Sequence, residues 1–214
     1  MGAPKPVAIP DTKVLLAGVD FNIAAPQNLQ TLRGLGVRKV FMLFPLTQKQ
    51  FEERSEFKEG LSHPSLEQVY AKWGIDPLVV AKLMKEGIFV SSLIRNPSSL
   101  RDYESFNKEA IAVKGKFLLQ CIHGRHASAS YAMYYLARSS NFSYHQITDL
   151  FARAGLGGRD LNNIESFLGD AKVNVRRVVE ERERAAIAQK KSIERHARKM
   201  TKKHWGYKGH QHHK

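Results

Sequence analysis

One segment near the middle of the chain limits the possible folds more than any other. Residues 116–122 are mostly apolar and have the features of a buried strand. A short stretch containing Gly124 follows, and residues 127–138 then show a helical pattern. The single cysteine, Cys121, lies at the end of the strand. A buried strand that leads through a tight loop into a helix predicts an α/β domain with its chemistry at that loop.

The rest of the first 170 residues alternates predicted strands with predicted helices. Strands are expected at 13–19, 37–46 and 88–94, and helices at 24–35, 77–87, 100–113, 143–154 and 160–167. A polar stretch, 47–65, is expected to be a loop with a helical piece near 51–58. Because parallel strands are joined by helices that cover the sheet, this order predicts a central, mainly parallel sheet flanked by helices.

The charge distribution divides the chain into a body and a tail. The 214 residues hold 34 Lys and Arg against 20 Asp and Glu, a net charge of +14. Residues 176–214 hold 13 of the basic and 4 of the acidic residues, so this short tail carries +9 and the other 175 residues carry +5. We therefore predict an N-terminal segment at 1–12, a domain at 13–173 and a basic helical extension with a His-rich tail at 174–214.

The composition argues against several classes of protein. One cysteine allows no internal disulfide and no multi-cysteine metal centre. No apolar run approaches the roughly 20 residues that span a bilayer, and residues 1–10 contain no signal-like segment. We expect an intracellular, cytoplasmic protein, with a nuclear location also open because of the basic tail. No cofactor and no metal site is predicted, since His210, His212 and His213 lack a fixed geometry.

The residues from Cys121 to Ser128 predict an anion-binding loop. Backbone N–H groups in a glycine loop and at a helix N-terminus bind tetrahedral oxyanions. The same groups favour the thiolate, which is the nucleophilic form of cysteine, and a thiolate beside a bound phosphate can attack phosphorus. The simpler interpretations are that Cys121 is a small buried apolar residue and that Ser128 only caps the helix.

This loop resembles the signature of the cysteine-dependent protein tyrosine and dual-specificity phosphatases. In that signature, five residues separate the cysteine from an arginine, which a serine or threonine follows. Cys121 matches the nucleophile, Gly124 the loop glycine, and Ser128 the hydroxyl that assists the departing thiolate. Residues 28–40 are similar to the opening helix, Leu-Gly-Val and strand of the family, so the resemblance covers about residues 13–168. It implies a phosphatase-like fold, phosphorylated protein as the ligand, and a cysteinyl-phosphate intermediate.

Two positions of the loop depart from the family signature. Ala127 stands where the family has its arginine, and Gln120 replaces the histidine that precedes the cysteine. The family arginine chelates two phosphoryl oxygens and stabilises the charge of the transition state. Loss of one preorganised donor alone costs about 10²–10³ in rate. We therefore expect a weak or inactive phosphatase that still binds phosphate or phosphoprotein.

The phosphate-binding loop is predicted to consist of six consecutive residues. These are Ile122, His123, Gly124, Arg125, His126 and Ala127. The side chain of Arg125 is expected to point outward, because it stands two residues before the position of the family arginine. Rescue of activity by Arg125 or His126 remains an alternative.

The resemblance also requires a general acid in the loop after the preceding strand. Residues 95–99 contain no carboxylate, and Asn96, which stands near the expected place, cannot supply a proton. The nearest carboxylate is Asp102, on the following predicted helix, with Glu104 next. Asp102 is therefore the predicted acid.

The basic tail predicts a second kind of function. Residues 195–208 interleave basic residues with Trp205 and Tyr207. Such a segment can neutralise phosphates and stack bases, or bind an anionic membrane surface. The alternative to a phosphatase-like protein is thus an interaction protein that binds nucleic acid or anionic lipid through residues 176–208. A solvated helix packed lightly on the body is the simpler interpretation.

Overall fold

A computed structural model of the chain describes residues 5–18, 21, 23, 25–44, 81, 83–94, 97, 99–121 and 124–208. Its strands are β1 (Val7–Ala8), β2 (Val14–Ala17), β3 (Val37–Phe44), β4 (Phe89–Ile94) and β5 (Lys116–Gln120). Its helices are α1 (Pro26–Gly34), α2 (Leu100–Ala112), α3 (Ala127–Ser139), α4 (Tyr144–Arg153), α5 (Arg159–Asp170) and α6 (Val175–Lys208).

The strands form one sheet in the order β1-β2-β5-β3-β4. Strand β5 lies between β2 and β3 and is parallel to both, so that Leu118 stands opposite Leu15 on one side and Val40 on the other. Strand β4 continues the sheet in parallel with β3. The predicted fold class, a mainly parallel sheet flanked by helices, is confirmed.

Strand β1 is the antiparallel member of this sheet. It pairs Val7 with Leu16 and Ala8 with Leu15. No strand was predicted there, because two residues are too short to show the alternation of a strand. It lies within the segment 1–12, which the sequence sets apart from the domain.

The other predicted elements agree with the structure to within a few residues. Of the helix predicted at 77–87, residues 81 and 83–85 are helical and residues 86 and 87 form a turn, while the others lie outside the described residues. The predicted loop at 47–65, with its helical piece, lies outside the described residues. The helix predicted from residue 174 begins at Val175 and extends to Lys208.

Helix α3 is the central helix of the domain. Its residues 127–137 are all buried, and its small Ala and Ser residues let other elements approach closely. Tyr103 and Phe106 of α2 pack on Tyr131 of α3, with ring centroids 4.6 and 5.1 Å from it. The Tyr103 hydroxyl also lies 3.0 Å from the Ser130 Oγ. This packing fixes the position of the first turn of α3 beside the end of β5.

The chain forms two compact units, Met1–Val175 and Arg176–Lys214. The second unit contains nearly all of α6, whose residues 183–200 are exposed. None of the helices in the described residues has the length and apolar character needed to cross a membrane.

Candidate functional site

Cys121 directly follows β5, in the middle of the sheet. Its backbone N–H donates to the Ala17 carbonyl at 3.2 Å, which continues the ladder between β5 and β2. Six residues later, α3 begins at Ala127. In open α/β sheets, ligands bind at the C-terminal ends of the parallel strands, where a loop leads into a helix. Cys121 therefore occupies the position at which this class of fold carries its chemistry.

The sulfur of Cys121 has two described polar partners. The backbone N–H of Gly124 donates to Sγ at 3.2 Å, and the thiol donates to the Ser128 Oγ at 3.3 Å. A thiolate could accept from both groups, because the serine hydroxyl can rotate to donate. Cys121 is only 4% exposed and Ser128 is fully buried. The structure thus brings together the three residues that carry the family signature.

Gly124 is required by both its backbone conformation and its surroundings. Its φ is +66°, a left-handed value that side chains with a Cβ rarely adopt. An added Cβ would lie 2.4 Å from the Ala17 carbonyl carbon and 2.4 Å from the Gly18 nitrogen. The loop therefore crosses the end of β2 in direct contact with its backbone.

Gln120 has a structural task that explains its departure from the family signature. Its Nε2 donates to the Gly18 carbonyl at 3.0 Å and to the Phe21 carbonyl at 2.8 Å. One neutral amide supplies both donors, whereas a neutral histidine would supply a single N–H. Gln120 is 4% exposed, so both hydrogen bonds are shielded from water, and the Gly18 carbonyl also accepts from the Phe21 N–H at 3.2 Å. The chain after β2 is thereby tied to the base of the Cys121 loop.

Ala127, at the position of the family arginine, is a buried apolar residue. It is 3% exposed and is the first residue of α3. Its carbonyl accepts a hydrogen bond from the Ser130 Oγ at 2.9 Å. Its methyl group provides neither a charge nor a donor for an oxyanion. The bidentate contact of the family signature therefore has no counterpart at this position.

Arg125 and His126, the basic residues of the loop that the structure describes, contact α5. His126 Nε2 lies 2.8 Å from the Asp160 Oδ1, and Arg125 Nη1 lies 3.4 Å from the Asp160 Oδ2. The Asn163 Nδ2 is also 3.5 Å from His126 Nε2. The Arg125 side chain is 59% exposed, in agreement with its expected outward direction. To act on a bound phosphate, Arg125 would have to leave Asp160.

Asp160 is a functional candidate that the sequence analysis missed. Within the described chain it is the carboxylate that contacts the Cys121 loop in these ion pairs, from a position 34 and 35 residues away. The feature of the sequence that could have indicated Asp160 is the glycine turn directly before it, at Gly155, Gly157 and Gly158. Such a turn allows the first residues of a helix to be presented to a neighbouring element.

Asp102, the predicted general acid, caps α2. Its Oδ2 accepts from the Ser99 N–H at 3.2 Å and from the Ser99 Oγ at 3.1 Å. This is a capping box, which stabilises the start of a helix. A catalytic role for Asp102 stays a prediction. Ile122, His123 and Asn96 lie outside the described residues.

The fold and the position of Cys121 define the architecture of the site. The protein has an α/β fold with a mainly parallel five-stranded sheet, and its only cysteine lies in the loop between the central strand and the central helix. That loop is the one in which the sequence resembles the phosphatase signature.

Comparisons with solved structures find similar chains at low sequence identity. Similar structures include PTPMT1 (16% identity, TM-score 0.46, covering 85% of this chain and 99% of that one). They also include Tk-PTP in its active form (15%, 0.44, 78% and 96%). A third is a human tyrosine phosphatase-like serine/threonine/tyrosine-interacting protein (14%, 0.39, 85% and 97%). No family model matches the sequence, and neither does a curated protein.

Proposed function

We propose that this chain binds the phosphate group of phosphorylated proteins at residues 121–128 and hydrolyses it weakly or not at all. The observation that carries the proposal is the contact between the Gly124 N–H and the Cys121 Sγ, at 3.2 Å. In this contact, a backbone donor of the loop points toward the predicted nucleophile. The loop leads into the N-terminus of α3, a buried helix of 13 residues. This is the arrangement of donors that binds a tetrahedral oxyanion.

Binding is expected to survive the loss of the family arginine. The donors of the loop and of the first turn of α3 belong to the backbone, so they do not depend on the side chain at position 127. The partial positive charge at the start of α3 adds to the attraction. Hydrolysis depends on position 127 much more strongly, because the transition state gains charge that the arginine would stabilise.

Any residual hydrolysis would pass through a cysteinyl-phosphate. The Cys121 thiolate attacks phosphorus, the bond to the leaving oxygen breaks, and that oxygen takes a proton from a general acid. Water then displaces the thiolate from phosphorus, and the Ser128 hydroxyl stabilises the departing sulfur, 3.3 Å away. Asp102 is the candidate acid from the sequence.

Phosphate binding can be tested by thermal unfolding of the full chain in increasing inorganic phosphate. A ligand that binds only the native state stabilises it, by about 1.4 kcal/mol at ten times its dissociation constant. We expect phosphate to raise the unfolding midpoint, and Cys121→Asp to abolish the increase by placing a negative charge in the loop. Ser143→Asp is the matched control, because it adds the same charge at the N-cap of α4, where Asp is well tolerated. Failure of phosphate to stabilise the native chain would refute the proposal.

The basic extension supports a second candidate function, binding of a polyanion. Four basic residues of α6 recur every seven positions and therefore share one side of the helix: Arg177, Arg184, Lys191 and Arg198. They extend over about 30 Å of helix. A row of basic residues of this length is the electrostatic footprint expected for nucleic acid or for anionic lipid.

Charge reversal in the full chain tests this second candidate. Arg184→Glu, Lys191→Glu and Arg198→Glu together should weaken binding to single-stranded nucleic acid. They should also reduce the slope of the logarithm of the binding constant against the logarithm of the salt concentration. The reduction should be about one unit for each phosphate that α6 no longer neutralises. The same variants with phosphatidylserine vesicles would identify lipid as the partner instead. Unchanged binding to both would show that this row of basic residues is only a solvated helix face.

A further inference from the structure

One carboxylate of α5 contacts both of the basic side chains that the structure describes in the Cys121 loop. The two oxygens of Asp160 are divided between His126 and Arg125, at 2.8 and 3.4 Å. The Asp160 side chain is 21% exposed, so this charge is partly shielded from water. Carboxylate and phosphate groups both accept hydrogen bonds from such cations through two oxygens. Asp160 thus makes the contacts that an oxyanion ligand could make.

These contacts lie at the edge of the proposed phosphate site. Arg125 and His126 stand between Gly124, which contacts the Cys121 sulfur, and Ala127, which begins α3. Because Ala127 removes the family arginine, these two residues are the basic side chains of the loop among the described residues. A negative charge paired with them reduces the attraction of the loop for another anion.

We propose that Asp160 is an internal counter-anion that competes with bound phosphate for Arg125 and His126. This inference rests on the proposed function and identifies a residue that sets the strength of phosphate binding. In the ligand-free chain, Asp160 pairs with the Arg125 guanidinium and contacts the His126 ring. When phosphate binds, the long and exposed side chain of Arg125 exchanges the carboxylate for phosphoryl oxygens. Asp160 therefore lowers the affinity for phosphate.

A purely structural role for Asp160 would have the opposite sign. If the ion pairs only clamp the loop onto α5, removing them loosens the loop and weakens phosphate binding. Asp160→Asn separates the two roles, because asparagine keeps the size of the side chain and an oxygen for His126 while removing the charge. Asp160→Ser is a second variant with a small polar residue that suits the first turn of a helix.

The experiment measures the dissociation constant of inorganic phosphate for the full chain at low salt. The variants are Asp160→Asn, Asp160→Ser, Arg125→Ala and the double variant that combines Asp160→Asn with Arg125→Ala, compared with the native chain. We expect Asp160→Asn to increase affinity about three- to tenfold, with a smaller increase at high salt. Arg125→Ala should raise the dissociation constant both in the native chain and in Asp160→Asn. The increase should be at least about threefold larger in Asp160→Asn, because the two residues are coupled. Asp170→Asn, at the far end of the same helix, should have no effect.

The outcomes separate this inference from the proposed function. Equal or weaker binding by both Asp160 variants, with binding by the native chain intact, would overturn the inference and leave the proposed function standing. Binding by the Asp160 variants alone would support the inference and overturn the proposed function for the native chain. Absence of binding in every variant would overturn both. Unfolding midpoints without phosphate show whether each variant is folded.

Discussion

Gly124 crosses the end of β2 so closely that a methyl group on its Cα would lie 2.4 Å from the carbonyl carbon of Ala17. The same residue turns its N–H toward the sulfur of Cys121. The sheet and the loop therefore determine each other's conformation. The Gly124 N–H therefore faces the Cys121 sulfur only while Gly124 keeps its close contact with the end of β2.

Replacement of this glycine should be unusually costly. Gly124→Ala combines a left-handed backbone, which costs about 1–2 kcal/mol for a residue with a Cβ, with an overlap that costs about 1–3 kcal/mol. We expect the free energy of unfolding, measured in urea, to fall by about 2–5 kcal/mol. Gly155→Ala is the matched control, because its φ is +80° but nothing lies within 4 Å of the added Cβ. Equal losses for the two variants would contradict the close contact with β2.

Gln120 should be essential for stability in spite of its departure from the family signature. Gln120→Ala removes the donor to the Phe21 carbonyl and leaves the Gly18 carbonyl with only the Phe21 N–H, and loss of a partner for a buried polar group costs about 1–3 kcal/mol. Gln120→His should lose less, since one ring N–H can still donate. Chemical denaturation measures both, with Gln189→Ala on the exposed face of α6 as the control. A Gln120→Ala variant as stable as that control would contradict the assigned role.

The buried tyrosines predict a loss of stability at high pH. Burial raises the pKa of Tyr103, and likewise that of Tyr131. Between pH 10, where an unfolded tyrosine ionises, and its higher native pKa, the native state binds more protons than the unfolded state. The stabilisation is therefore complete below pH 10 and decreases above it, by about 1.4 kcal/mol per pH unit for each such tyrosine.

Tyr103→Phe tests this alkaline dependence. Its free energy of unfolding should fall less steeply from pH 10 to 11 than that of the native chain. At pH 7 it should be lower by about 1 kcal/mol, because the hydrogen bond with Ser130 is lost. Identical slopes for the variant and the native chain would show that Tyr103 is accessible to ionisation.

The sequence predicted those features that depend on local pattern. Three features follow from periodicity, from a glycine and from a short loop. They are the strand at 116–120, the start of α3 at Ala127, and the meeting of Cys121, Gly124 and Ser128. The mainly parallel sheet follows from the alternation of strands and helices. These predictions succeeded because each depends on neighbouring residues.

The features that were missed depend on packing between distant segments. Asp160 contacts His126 from 34 residues away, and Gln120 donates to Phe21 across 99 residues. No local pattern contains such pairs. In the sequence, Gln120 is only a departure from the family signature. In the fold, its side-chain amide donates to two backbone carbonyls, which the single N–H of a neutral histidine could not do.

The central claim is that a phosphatase-like loop has lost its transition-state arginine at one position. Hydrolysis of a small aryl phosphate by the native chain, by Ala127→Arg and by Ala127→Arg combined with Cys121→Ser tests it most directly. We expect Ala127→Arg to raise the rate at least about 100-fold, and Cys121→Ser to remove the gain. Native-chain hydrolysis as fast as that of Ala127→Arg, and equally dependent on Cys121, would contradict this claim.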